Sequence, residues 1–244
     1  MIDRTGAPGV PVICTQDGLW TLEGARVHAS VFAGRGVMAG AVTRSRVALV
    51  VDHRDLWELA GGCWRRVATA DRLVHSLLYI DDQALLVAGA DGGLGTLRNH
   101  EVRWNAQIGD LAARGQWRTP WGGPPDIHTL TRAGNGSIYA CVHAGWMIRS
   151  DDEGASWRQL RGGLAPDVHD VEPHLLEPTT LVVATAEGAY VSEDGGAHFA
   201  RRWPGSALRY LRACAVFGKD DVWILSAHDN AKRGSRACIF QALL

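Results

Sequence analysis

The 244-residue sequence has no run of about 18 apolar residues, which a membrane-spanning helix requires, and no basic stretch followed by an apolar core near its N-terminus. It also has no basic cluster, and its formal net charge is −1. Nucleic acids and anionic membranes attract strongly positive surfaces, so we expect neither as a partner. These absences predict a soluble protein that stays in the cytoplasm.

Cysteine is scattered and never paired in sequence. The five cysteines form no Cys-x-x-Cys motif, and most of them lie in apolar runs such as VPVICT and IYACV. A thiol in such a run behaves as a small apolar side chain. This usage fits a protein that is not exported, and it argues against a zinc site built from cysteines.

The sequence does contain an internal repeat. The stretches 146–160 (WMIRSDDEGASWRQL) and 189–201 (AYVSEDGGAHFAR) share the pattern Ser-x-Asp-x-Gly-x-x-Trp/Phe, 42 residues apart. In each copy an apolar run predicts a strand, the aspartate can accept backbone N–H bonds, and the glycine allows a positive φ. The repeat therefore predicts β-hairpins whose turns are held by an aspartate. The matched positions are Ser150 and Ser192, Asp152 and Asp194, Gly154 and Gly196, and Trp157 and Phe199.

These two copies resemble the Asp-box, or bacterial neuraminidase repeat, of β-propeller proteins. The resemblance implies a structural role for the two aspartates, in the turn between the outer strands of a blade and away from the active site. Sialidases, sorting receptors, photosystem assembly factors and lectins share this motif, so it does not select a chemistry. The segments WGGPPD, VHAG and DVHDV further resemble uncharacterised bacterial propellers of the sialidase-like group.

Weaker copies of the hairpin upstream extend the repeat over the chain. Residues 18–27 and 55–64 keep the apolar strand and the glycine, and two more strand-like runs precede most hairpins. We therefore predict an all-β fold, a β-propeller of four-stranded antiparallel blades. Six blades are expected, the first and last incomplete, with seven blades or an incomplete ring as alternatives. We expect one domain, 1–244, with an irregular inter-blade insertion loop, 109–126, that serves as a lid or as a packing plug.

Propeller topology predicts where histidines meet. If the Asp-box turns lie at the bottom, the starts of inner strands and the ends of second strands lie at the top, around the axis. His75, His128 and His169 stand at strand starts, and His143 stands at a strand end. A neutral imidazole offers one lone pair while its other nitrogen donates, so we predict a metal site at these four histidines. Copper, iron, zinc and manganese all suit such ligands. Each histidine alone has a simpler interpretation, a hydrogen bond to a backbone carbonyl or a place in a wet channel.

The predicted function is a metal-binding protein, or a metal-dependent enzyme that acts on a small molecule or peptide at the histidine-lined top-face pocket. Tyr210 and Arg212 are the candidate catalytic residues, because a guanidinium binds carboxylate or phosphate in a bidentate fork. The alternative is a non-catalytic scaffold that presents the blade tops and the loop from Trp117 to Trp121 to a protein partner. A sialidase-like glycosidase is disfavoured, since the chain lacks the Phe/Tyr-Arg-Ile-Pro element that sialidases carry.

Overall fold

A computed structural model describes residues 12–23, 26–203, 208–217, 221–228 and 238–243. The other residues of the predicted domain, 1–244, lie outside the described residues. The chain divides into two compact units, Met1–Asn105 and Ala106–Leu244. Antiparallel β-sheet dominates both of them.

The N-terminal unit contains three sheets, each formed by strands that follow one another along the chain. The first sheet consists of β1 (Val12–Thr15), β2 (Gly18–Glu23) and β3 (Arg26–Val31). The second consists of β4 (Val37–Val42), β5 (Val47–Val51), β6 (Asp55–Ala60) and β7 (Cys63–Thr69). The third consists of β8 (Val74–Asp81), β9 (Ala84–Gly89), β10 (Leu94–Arg98) and β11 (Glu101–Trp104).

The C-terminal unit begins with a helix, α1 (Gln107–Gly115), and continues with three sheets. The first sheet consists of β12 (Ile127–Arg132), β13 (Ile138–Val142), β14 (Met147–Ser150) and β15 (Arg158–Leu160). The second consists of β16 (Val168–Pro173), β17 (Leu181–Thr185), β18 (Gly188–Ser192) and β19 (Ala200–Arg201). The third consists of β20 (Tyr210–Phe217), β21 (Asp221–His228) and β22 (Cys238–Leu243).

Neighbouring sheets pack face to face within each unit. The second strands β5, β9, β13 and β17 are buried along their whole length, which explains their uninterrupted apolar sequences. In the C-terminal unit, Tyr139 and Met147 of one sheet share a core with Val183 of the next. Ala184 and Leu211 belong to a second core, which joins β17 to β20. Within each unit, neighbouring sheets thus cover each other's apolar faces.

Four sheets have four antiparallel strands in chain order, which is the blade of a β-propeller. The prediction of an all-β propeller with four-stranded antiparallel blades is therefore confirmed. The prediction of six blades needs correction, because the sheets β1–β3 and β20–β22 have only three strands each. No fourth strand for either sheet occurs in the part of the chain that the structure describes. The described residues thus form four complete blades, with incomplete sheets first and last as predicted, and they support five blades rather than six.

The two Ser-x-Asp turns have matching hydrogen bonds. The Ser150 hydroxyl donates to Asp152 Oδ1 over 2.8 Å and accepts the N–H of Gly154, also over 2.8 Å. In the second turn the Asp194 carboxylate accepts the Ser192 hydroxyl over 2.9 Å and the backbone N–H of His198 over 2.9 Å. Hydrogen bonds from His198 hold the pKa of Asp194 well below its usual range. The prediction that an aspartate holds each turn is confirmed.

Replacing Asp194 with alanine should destabilise the protein, because it removes the acceptor for the His198 N–H and the Ser192 hydroxyl. We expect a loss of about 1 kcal/mol, which lowers the melting temperature by roughly 2 to 4 °C. Glu193→Ala, a loss of the neighbouring exposed carboxylate, is the matched control and should melt as the wild type does. Thermal melts by circular dichroism make the comparison, and equal melting of the two variants would contradict the role of Asp194.

Helix α1 occupies the first part of the predicted irregular insertion, 109–126. Its apolar residues Ile108 and Leu111 are buried, and the helix ends where Gln116 adopts a left-handed conformation with φ of 53°. The side chain of Gln107 accepts the backbone N–H of Trp157 over 3.0 Å, so the start of the helix is tied to the first Ser-x-Asp hairpin. Among the described residues, no helix is long and apolar enough to cross a membrane.

Two acidic side chains lie on the innermost strand of the second C-terminal sheet, β16. Asp170 accepts the backbone N–H groups of Cys214 over 3.1 Å and Val171 over 3.0 Å. Glu172 lies two residues further along, and burial together with the neighbouring Asp170 raises its pKa to about 7. Glu172 therefore keeps its proton in the folded protein well above the pH at which an exposed glutamate ionises.

Glu172 should make the protein less stable as the pH rises. Between about pH 4.5 and pH 7 the unfolded chain releases this proton while the folded chain retains it, so folding becomes less favourable as pH increases. Glu172→Gln cannot ionise and should be more stable than the wild type at pH 8 by about 1 to 3 kcal/mol, and equally stable at pH 4. Urea denaturation at both pH values tests this. Exposed Glu177→Gln should show no such difference, and a pH-independent effect of Glu172→Gln would refute the assignment.

Candidate metal centre

Two histidines and one aspartate of the C-terminal unit point at one another. Nε2 of His143 lies 3.6 Å from Oδ1 of Asp167, and Nε2 of His169 lies 3.5 Å from the same oxygen. One ligand atom from each residue lies within 4.8 Å of the other two. These three atoms are buried, and within the described part of the chain none has a hydrogen-bond partner. Buried polar atoms are normally satisfied, and these three residues form a group that could hold a metal ion.

His169 is held in one tautomer and one orientation. It is 5% exposed, and its Nδ1 donates to the backbone carbonyl of Leu211 on β20. Because the carbonyl can only accept, the proton is on Nδ1 and the lone pair is on Nε2, which faces Asp167. A second hydrogen bond of this kind is the usual support for a metal-binding imidazole.

A repeated β-bulge turns the side chain of His169 toward this group. Each first strand of the sheets that begin with β4, β8, β12, β16 and β20 shifts register after its first residues. The bulged residues are Met38, His75, His128, His169 and Arg212. A bulge changes the direction of a side chain without ending the strand. His75, His128 and His169 are the three residues predicted from the sequence to lie at strand starts.

The other predicted histidines have different positions. Nε2 of His128 donates to the backbone carbonyl of His169 over 2.8 Å, and its ring lies 5.0 Å from that of His143. His128 thus lies beside the group and braces β16, but it does not belong to the three converging residues. His75 lies at the bulge of β8 in the N-terminal unit and contributes no ligand to the group.

His143 follows the end of β13, in a turn that runs to Trp146. Its backbone N–H donates to the carbonyl of Asp126 over 2.9 Å, and Gly145 N–H closes the turn on the Val142 carbonyl over 3.0 Å. The buried indole of Trp117 packs against this turn. Its Cγ lies 2.9 Å from the position that a Cβ atom at Gly145 would occupy. Burial lowers the pKa of His143, so its imidazole is neutral at pH 7 and can donate a lone pair.

Asp167, which the sequence analysis missed, precedes β16 by one residue. Burial opposes its ionisation, but the neighbouring His169 and His143 hold its pKa below the usual value. A charged carboxylate beside the neutral imidazole of His143 is a protonation state that suits a metal ion. The signal was present in the sequence, because Asp167-Val168-His169 repeats the Asp-x-His spacing of Asp126 and His128 at the equivalent position one blade earlier.

The candidate catalytic residues lie next to this group. The ring of Tyr210 is 4.6 Å from that of His169, and the guanidinium of Arg212 lies 4.8 Å from the centre of the Tyr210 ring. Burial raises the pKa of Tyr210, so it is a neutral phenol at pH 7. On the other side, the indole of Trp121 meets the ring of His143 edge-on at 5.3 Å and is 70% exposed. Within the predicted loop, Trp117 is therefore a buried packing residue and Trp121 a surface residue.

Two imidazole nitrogens and one carboxylate oxygen form a ligand set that suits first-row divalent metals. Zinc takes such ligands at about 2.0 to 2.2 Å, and sites with three protein ligands leave further coordination positions for water or substrate. Iron(II) is also bound by two histidines and one carboxylate. The geometry is therefore compatible with a catalytic or ligand-binding metal as well as with a structural one.

No protein-family model matches the sequence, and no curated protein matches it. Many solved structures are similar. The extracellular domain of a hybrid two-component system from B. thetaiotaomicron has a TM-score of 0.69 at 12% identity, covering 92% of this chain and 30% of that one. YCF48 from Cyanidioschyzon merolae has a TM-score of 0.65 at 10% identity, and the match covers 88% of this chain and 74% of YCF48. An ancestral GH74 enzyme has 0.65 at 13%, covering 85% of this chain and 30% of the enzyme.

These similar structures are β-propeller proteins. At such low identities the similarity shows the fold alone. This chain spans 30% of the length of the GH74 enzyme and of the two-component system domain, so their activities are not transferred to it.

Proposed function

We propose that this β-propeller binds a divalent transition-metal ion through His143, Asp167 and His169. The observation that carries the proposal is the convergence of three buried ligand atoms that have no hydrogen-bond partner among the described residues. The Leu211 carbonyl supports it, because it keeps the lone pair of His169 on the nitrogen that faces Asp167. In this proposal His128 is a positioning residue for the strand that carries His169.

A bound ion of this kind acts as a Lewis acid and lowers the pKa of a coordinated water. The residues beside the site would bind and orient a small molecule or peptide, with the neutral phenol of Tyr210 as a hydrogen-bond donor and Arg212 as the partner of an anionic group. Tyr210 and Arg212 are therefore the catalytic candidates if the propeller is an enzyme. We also assign the turns at Asp152 and Asp194 to the Asp-box type, on the basis of their matching hydrogen bonds.

The second candidate function is a non-catalytic scaffold that presents this face to a protein. The exposure of Trp121 supports it, since a large indole held at the surface is common in protein interfaces. In that case a metal ion at His143, Asp167 and His169 would stabilise the face that the partner contacts.

Metal titration of protein purified without an affinity tag tests the proposal. We expect one zinc, iron(II), manganese or copper ion per chain in isothermal titration calorimetry. His143→Ala, His169→Ala and Asp167→Asn each remove one ligand and should weaken metal binding by about 100-fold or more, whereas His128→Ala should weaken it by about 10-fold. His100→Ala, a change at an exposed turn of the N-terminal unit, is the matched control and should bind metal as the wild type does.

The same titration at lower pH gives a second test. Protons compete with the metal for Nε2 of both histidines, so the affinity should fall by at least about 10-fold between pH 7.5 and pH 5.5. Because burial lowers the pKa of His143, protons compete for this ligand at a lower pH than for an exposed histidine, so the affinity should fall more steeply toward pH 5.5. Absence of stoichiometric metal binding, or equal effects of His143→Ala and His100→Ala, would refute the proposed site.

A further inference from the structure

The rings of the proposed metal centre belong to a row of contacts whose two end residues, Trp121 and Arg212, are exposed. The contacts run from Trp121 to His143 at 5.3 Å and from His143 to His169 at 5.7 Å. They continue from His169 to Tyr210 at 4.6 Å and from Tyr210 to the guanidinium of Arg212 at 4.8 Å. The exposed ends of this row are an indole and a guanidinium, which recognise different parts of a ligand.

Arg212 is a cation without an acidic partner in the described part of the chain. Arg149, by comparison, is in contact with the Asp151 carboxylate, and Arg46 with that of Glu58. Arg212 instead lies over the face of Tyr210, and its positive charge is close enough to act on the imidazole of His143. An exposed guanidinium in this position can form a bidentate pair with an incoming carboxylate.

Trp121 is held in place although it is exposed. Thr119, which is buried, donates its backbone N–H to the carbonyl of Gly123 over 3.0 Å and accepts the Gly123 N–H on its hydroxyl over 2.8 Å. The Gly122 N–H donates to the Thr119 carbonyl over 2.9 Å, so Trp121 lies at the tip of a closed turn. A fixed indole edge-on to His143 offers an apolar face at little entropic cost to a flat apolar group.

We propose that the metal centre takes a small aromatic carboxylate, whose carboxylate contacts the metal ion and Arg212 and whose ring packs against Trp121. This inference rests on the metal site proposed above. The carboxylate gives Arg212 an anionic partner, and it also provides an oxygen ligand for the metal. The aromatic body covers the exposed indole. A simple carboxylate such as acetate leaves the indole of Trp121 uncovered, and a neutral aromatic molecule leaves Arg212 without an anionic partner.

Titration of the zinc-loaded protein with benzoate tests this inference, with benzamide and acetate as probes that lack the charge and the ring. We expect benzoate to bind at least about 10-fold more tightly than either one. Arg212→Gln and Trp121→Ala should each weaken benzoate binding by about 10-fold or more, while each variant still binds one zinc ion per chain. Arg209→Gln, which removes an exposed arginine three residues earlier, is the matched control and should bind benzoate as the wild type does.

Zinc stoichiometry and a thermal melt are measured for every variant before benzoate is added. If Arg212→Gln does not fold, Arg212→Lys takes its place, because it keeps the charge but loses the bidentate fork. Zinc binding without benzoate binding, or equal benzoate affinity in Arg212→Gln and the wild type, would overturn the ligand assignment and leave the metal site standing. Absence of zinc binding in the wild type would overturn both.

Discussion

The buried imidazole of His169 is the constraint on which the site depends. A histidine with almost no exposure must satisfy two ring nitrogens inside the protein, because water cannot do so. The Leu211 carbonyl satisfies one nitrogen, and this hydrogen bond determines that the other nitrogen carries the lone pair toward Asp167. The carbonyl belongs to the neighbouring sheet, so the orientation of the ring depends on the packing of two blades. Fold and site are coupled at this one residue.

The strand that follows the turn of His143 also carries the first Ser-x-Asp turn, at its opposite end. Strand β14 runs from the turn that contains His143 to Ser150, where the first Ser-x-Asp turn begins. Hydrogen bonds of the Ser150 and Asp152 side chains hold that turn, and none of them involves a site residue. Structural stabilisation and candidate chemistry are therefore separated by the length of one short strand. This arrangement explains why a strong sequence motif for the fold says little about function.

The sequence was sufficient for the parts of the fold that depend on local patterns. Apolar strand-like runs, turn glycines and the Ser-x-Asp pattern predict the hairpins, because a hairpin is determined by residues that are close together in the sequence. The strand-start positions of His128 and His169 also followed from the repeat. Helix α1 was missed because its apolar residues Ile108 and Leu111 are few and the helix contains Gly109, which weakens a helical pattern.

Asp167 and the contacts around it were beyond that reasoning for a different reason. A bulge is a shift in the pairing between two strands, so the type of a single residue does not predict it. The hydrogen bonds from His128 to His169 and from His169 to Leu211 each join residues about 40 positions apart in different sheets. Spacing predicted that histidines would approach one another, but the carboxylate between them depends on packing.

The bulges also separate side-chain identity from strand register. The residues before and after each bulged residue pair with the next strand. The hydrogen bonds between the two strands therefore do not depend on the type of the bulged residue. Methionine, histidine and arginine occupy this position in different sheets of the same chain. In these five sheets the bulged position can therefore take different side chains, and so different chemistry, at little cost to strand pairing.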